Sequence, residues 1–338
     1  MKLFVSTSIL GALVFSGVAS AQTTATTTPV GYVTHTLRQG YNALGLTLQT
    51  PTLAAGTFET VGATSLTDSD VTYAPIAGRT YVLEMTSGTQ TGSIFEIPAA
   101  NISGSTISVI TSPATDLVAL GVTTSDTYKL RIAPTLEEVF TTTPLSSGGV
   151  LQAALSAGSA DIVWIPISAG VYSKYYLRSG ATPAFRDATT NALTPGVPIV
   201  YADGFFVQKK GASAASLTVV GELKTVGTNS VLNQGFNLLN SVAPVGLNLF
   251  NAGLEDDLQA ALSSGSADEV WVQQSNLSYI RYFRRSGAGA GWRVSGTNIT
   301  LTQAQAEAVA LSPGFQIQRK SAAPTNLDMN VPVGYSEL

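Results

Sequence analysis

The strongest constraint on this chain is that it repeats itself. Residues 151–165 read LQAALSAGSADIVWI and residues 258–272 read LQAALSSGSADEVWV, with 12 identities in 15 positions at a constant offset of 107. The same offset relates Tyr172 to Tyr279, Tyr175 to Tyr282, Arg178 to Arg285 and Arg186 to Arg293. After a shift to 110, Gly204, Phe205, Gln208 and Lys210 match Gly314, Phe315, Gln318 and Lys320. A repeated sequence implies a repeated structural unit, because each copy obeys the same local preferences and buries the same pattern. Upstream, QGYN at residues 39–42 echoes QGFN at 234–237, and Ala133-Pro134 echoes Ala243-Pro244. Gly235 and Ala243 are 8 residues apart while Gly40 and Ala133 are 93 apart, an excess of 85 residues inserted into the first copy.

Periodicity sets the expected fold class as mainly β: two homologous β-rich units, each with one short helix, the first carrying an inserted small β module. The expected bounds are residues 22–51 with 133–223 for the first unit, 52–132 for the insert and 224–335 for the second unit, behind a leader at 1–21. Strands are expected at 161–167, 171–178, 204–210 and 216–223 and at their counterparts. In the insert, Tyr81, Leu83 and Met85 alternate, as do Tyr128, Leu130 and Ile132, with turn signals at Ser87-Gly88 and Ser103-Gly104. Leu151, Ala154 and Leu155, like Leu258, Ala261 and Leu262, stand at helical spacing before a glycine, and predict the one short helix of each unit.

The amino-terminal 21 residues have the three parts of a secretory signal: Lys2, an apolar run through Val18, and Ala19-Ser20-Ala21 before Gln22. Export with cleavage after Ala21 is the expectation, and no later run has the apolar length of a membrane-spanning helix. The chain has no cysteine, so burial rather than disulfides must hold it together. Charged residues are 11% of the chain and the net charge is −4, which gives no reason to expect a nucleic-acid partner.

The segments PVGYVTHTL at 29–37, YVLEMTSG at 81–88, GFFVQKKGA from Gly204 and GFQIQRKSA from Gly314 resemble a family of exported bacterial proteins of unassigned function. The resemblance covers most of the chain after the leader. It implies export and a bacterial source, and carries no activity or site residues.

No catalytic, metal or cofactor set emerges. The one histidine, His35, sits in an alternating stretch and is expected to face water as a strand residue. Glu255, Asp256 and Asp257 are expected to favour the start of the second-copy helix, and Asp68 and Asp70 to form a turn. The constellation with functional content lies on the strand after the first tryptophan of each copy. At period two, Tyr172, Lys174, Tyr176 and Arg178 share a face, matched by Tyr279, Arg281, Phe283 and Arg285. Rings alternating with cations suit stacking on sugars and pairing with their acidic groups. Alternatively the rings are core and the basic heads pair with Asp161 and Asp268, with Trp164 and Trp271 buried. The functional expectation is a non-enzymatic structural protein of the cell surface or matrix. A carbohydrate-binding or adhesive module for an acidic polysaccharide comes second and an unrecognised glycan-active enzyme third. Polysaccharide and other copies of the chain are the expected partners.

Overall fold

The computed structural model describes residues 29–110, 116–297, 299–311 and 313–335, so the leader at 1–21 lies outside the described residues. The protein is mainly β. Among the described residues its α-helices, Leu136–Phe140, Leu254–Asp257 and Gln303–Glu307, have four or five residues each. No helix among them is long and apolar enough to cross a membrane.

Two antiparallel sheets dominate. The first has five strands in the order Ala184–Asp187, Val171–Arg178, Ile162–Ser168, Gly204–Lys209 and Gly40–Gly45. In the second, the order from its open rim is Ile299–Thr300, Gly291–Val294, Tyr279–Arg285, Glu269–Gln273, Gly314–Arg319 and Gly235–Asn240. From the second strand of that series onward, each has a sequence-matched counterpart in the first sheet. Cross-strand registers match as well: Trp164 faces Lys174 and Phe206, and Trp271 faces Arg281 and Gln316. Each sheet is accompanied by a two-stranded ribbon, Val30–Leu37 with Ala215–Glu222, and Thr228–Leu232 with Thr325–Met329.

One face of each sheet is core. In the first, Val163, Leu177, Phe185, Phe205 and Val207 pack with Leu37, Leu217 and the helix residues Leu136 and Phe140. In the second, Val270, Tyr282, Trp292, Phe315 and Ile317 pack with Leu232, Leu327 and Leu254. The segment between the first sheet's strands Gly40–Gly45 and Ile162–Ser168 forms a four-stranded sheet (Thr52–Thr57, Thr127–Ile132, Thr80–Met85, Ile94–Pro98) and a smaller one. Its core is separate, with Phe58, Leu83, Met85, Tyr128 and Leu130 at its centre. It is tied back by a buried charge cluster. Arg131 bonds Glu222 at 2.5 Å, Lys224 bonds Glu84, and all four side chains are buried.

The LQAAL segments are not helices, contrary to their spacing. Leu155 and Leu262, assigned to a helical apolar face, are 71% and 70% exposed. Downstream a buried aspartate ties the start of each segment to the sheet. Asp161 accepts from the Gln152 amide, the Lys210 amide and the Lys209 ammonium, each at 2.7 Å. Asp268 accepts from the Gln259 amide at 2.9 Å, the Lys320 amide at 2.7 Å and the Arg319 guanidinium at 3.1 Å. The Ala154 amide goes to the Leu177 carbonyl and the Ser179 amide to the Ala154 carbonyl, so the segment joins the sheet margin. These aspartates therefore pair with Lys209 and Arg319, not with the cations of the Val171–Arg178 and Tyr279–Arg285 strands. Two of the helices begin at a capping box, Thr135 with Glu138 and Thr302 with Gln305. Glu255, Asp256 and Asp257 are themselves the helix Leu254–Asp257, and Glu255 bonds Arg284 at 2.8 Å.

The sheets meet on the faces opposite their cores. A Cβ at Gly204 would lie 2.8 Å from the Leu239 carbonyl, and one at Gly314 would lie 2.9 Å from the Leu44 backbone, so only glycine admits this approach. Beside them Asn240, fully buried, donates to the carbonyls of Leu46 and Tyr201 and accepts from the Val242 amide.

Candidate functional site

Strand alternation decides what the face opposite each core presents. On the first sheet, Phe205 and Val207 point to the core, so Gly204, Phe206 and Gln208 point away, joined by Trp164, Tyr172, Lys174 and Tyr41. The corresponding set on the second sheet is Phe236, Trp271, Tyr279, Arg281 and Gln316.

These rings touch. Trp164 packs edge-on to Tyr41 and Tyr172 at centroid distances of 5.6 and 6.1 Å, and Phe206 lies 5.8 Å from Tyr172. Trp271 stands 5.2 Å from Phe236 and 6.1 Å from Tyr279. A cation caps each indole: the Lys174 ammonium is 4.1 Å from the Trp164 centroid and the Arg281 guanidinium 5.2 Å from that of Trp271. Tyr41 is 44% exposed, and Trp164, Tyr172, Phe206, Phe236, Trp271 and Tyr279 are half-buried.

The two sets are neighbours, not independent faces. Each sheet's edge strand is bonded by the other: Gln273 accepts from the Ala43 amide and donates to the Tyr41 carbonyl, and the Gly170 amide donates to the Phe236 carbonyl. Burial pushes the Tyr172 hydroxyl up, and Tyr279 is pushed up to about 12 by burial, with the charge of Tyr172 adding to the effect. The result is one composite surface of seven rings with a cation at each tryptophan.

Of the eight side chains singled out in the sequence, the structure brings Tyr172, Lys174, Tyr279 and Arg281 into this surface. Tyr176 and Phe283, each 2% exposed, cannot contact a ligand: Tyr176 packs on Ala160 and Ile162 beneath the LQAAL segment and bonds Asn191. Arg178 and Arg285 lie one step further, bridged to Ala154 and Ala261, away from the tryptophans. Strand alternation placed these residues on one side correctly and could not register that a loop covers half of it. Trp164 and Trp271 are half-buried rather than core, and the core positions belong to Phe185 and Trp292, 1% and 4% exposed. Sequence reasoning missed Tyr41, Phe236, Phe206 and Gln316. The matched QGYN and QGFN motifs held the signal for the first two.

Other candidates resolve into structure. His35 lies half-buried on the inward side of its ribbon, opposite Leu217, not toward water, and burial lowers its pKa. Among the described residues Glu59, Asp68 and Asp70 hold carboxylate oxygens within 4.8 Å of one another. Asp68 already accepts from Tyr128 and the Asp70 amide, and Glu59 from the Ser69 amide. A cavity of about 420 Å³ is lined chiefly by apolar groups such as Leu46, Leu48, Leu53 and Ile132, and its Arg79 and Glu138 bond each other. No protein-family model, no curated protein and no solved structure matches this chain.

Proposed function

We propose that the chain is an exported, non-enzymatic binding protein of a cell surface or matrix, whose composite aromatic surface takes up a polysaccharide. The observation carrying this reading is a pair of neighbouring ring clusters, Tyr41, Trp164, Tyr172 and Phe206 on one sheet and Phe236, Trp271 and Tyr279 on the other, with a cation on each tryptophan. Rings left half open at a sheet junction, rather than closed over by the neighbouring sheet, offer apolar planes to the C–H faces of sugar rings. The flanking cations and amides supply the hydrogen bonds that hydroxyl and acidic groups need. The leader read in the sequence supports exposure to such polymers.

The test is affinity electrophoresis through gels containing plant, algal or bacterial polysaccharides. The intact protein is expected to be retarded by at least one, and the Trp164→Ala, Trp271→Ala double variant to lose most of that retardation while still unfolding cooperatively. Free migration of the intact protein through every polymer would remove the reading. The surface would then be a packing seam between sheets, and the structural-protein reading would gain.

A further inference from the structure

We infer that the two halves of the aromatic surface read different chemistry: the first-sheet half takes a carboxylate-bearing sugar residue, and the second-sheet half a neutral one. This rests on the polysaccharide reading above and assigns the chemistry of each half.

The difference originates in one position. Where the first sheet has Ile162, opposite Tyr176 and Gln208, the second has Glu269, opposite Phe283 and Gln318. Glu269 is 3% exposed, accepts from the Ser295 hydroxyl at 2.5 Å, and lies 3.8 Å from Arg281 and 3.9 Å from Lys320. One buried carboxylate therefore compensates both cations of the second-sheet half. Their counterparts in the first-sheet half are Lys174 and Lys210. Neither has a carboxylate within salt-bridge distance among the described residues. Both lysines are half-buried, so each has lost part of its hydration without gaining a counter-charge.

A partly desolvated, unpaired cation gains more from an incoming anion than one already held by a buried carboxylate. Lys174 sits over the Trp164 plane, so a pyranose stacked beside that indole would bring a ring carboxylate to the ammonium. In the second half the same carboxylate would meet cations already compensated by Glu269. There Gln316 stands next to Trp271 where Phe206 stands next to Trp164, giving an amide suited to sugar hydroxyls.

The experiment compares binding to polygalacturonate and to the same polymer with its carboxyls reduced to alcohols, read as the ratio of the two affinities. In Lys174→Gln that ratio should fall about tenfold, with a shallower salt dependence, and in Arg281→Gln by at most about twofold. Glu269→Gln frees Arg281 and Lys320 and should raise the ratio. An unmoved ratio in Lys174→Gln, or an equal fall in Arg281→Gln, overturns the division of chemistry while leaving polysaccharide binding intact. If the unaltered protein binds neither polymer, nor any other polysaccharide, the binding reading itself fails and this inference falls with it.

Discussion

The two large sheets share a tryptophan, a tyrosine and a buried aspartate at matched positions, and they differ in what each shared group is given as a partner. Asp161 holds a lysine whose side chain is fully buried, while Asp268 holds an arginine that keeps 8% exposure and a second bond, to the Ala323 carbonyl. Ile162 is replaced by Glu269, and Asp203 has Pro313 as its counterpart. Positions that organise the backbone stay the same between the halves. Positions that set charge on the opposite face diverge, so two sheets of matching register can carry two different surfaces.

The largest expected effect breaks the aspartate clamps. Asp161→Asn leaves Lys209 buried without a counter-charge and should cost about 3–5 kcal/mol in denaturant unfolding. Asp268→Asn should cost about 1–2 kcal/mol less, because Arg319 keeps another acceptor and an outlet toward water. Equal losses would mean that the clamps are interchangeable and the comparison empty.

Next come the aromatic positions. Trp292→Ala opens a hole in the second core and should cost about 3–5 kcal/mol. Trp164→Ala and Trp271→Ala remove half-buried rings and should each cost about 1–2 kcal/mol. If all three unfold alike, the tryptophans of the opposite face are structural and the binding surface is lost as an idea.

The smallest effect is a pH dependence at Asp203, a position that Pro313 fills in the second copy. Asp203 is pushed up to about 7, mainly by burial, with the neighbouring charge of Glu96 adding to it. The folded protein thus keeps a proton that the unfolded chain releases from about pH 4 upward. A folded-state carboxyl raised in this way contributes stability that is present below its unfolded pKa and lost as pH rises through that window to about 7. Glu96, raised by burial, acts with the same sign. Thermal midpoints at about pH 4.5 and 8 should show a loss of about 1–2 kcal/mol that shrinks in Asp203→Asn. An unchanged loss in the variant would place its origin elsewhere.

The β character was legible because alternation is a local signal. Tyr81, Leu83 and Met85, and Tyr128, Leu130 and Ile132, all lie in strands as their spacing implies. The LQAAL segments misled because helical spacing is only permissive, and their Ala154 and Ala261 backbones pair with the strands Val171–Arg178 and Tyr279–Arg285 while Asp161 and Asp268 hold Gln152 and Gln259. The true helix at Leu136–Phe140 announced itself by Thr135 and Glu138, a capping signal weaker to the eye than a repeated apolar motif. Four of the eight singled-out residues reached the composite surface. The other four were lost because a period of two reports the side of a strand and not what lies over it.

The mutual bonding of the two edge strands also bears on templated growth. An open sheet edge invites another chain to add a strand, the first step toward ordered aggregates, and a low-charge chain has little repulsion to prevent it. Here Gly40–Gly45 and Gly235–Asn240 spend outward-pointing backbone groups on Gln273 and Gly170. The opposite rims end in strands of four and two residues, Ala184–Asp187 and Ile299–Thr300, too short to template much. Among the described residues, the eight-residue strand Val30–Leu37 pairs on one side only. Its outward Val30 and Tyr32 are 73% and 77% exposed. Its ribbon partner Ala215–Glu222 is equally long, with Val220 71% exposed, so among the described residues this ribbon offers the longest free edges for strand addition, and a charge or proline in each strand would work against it.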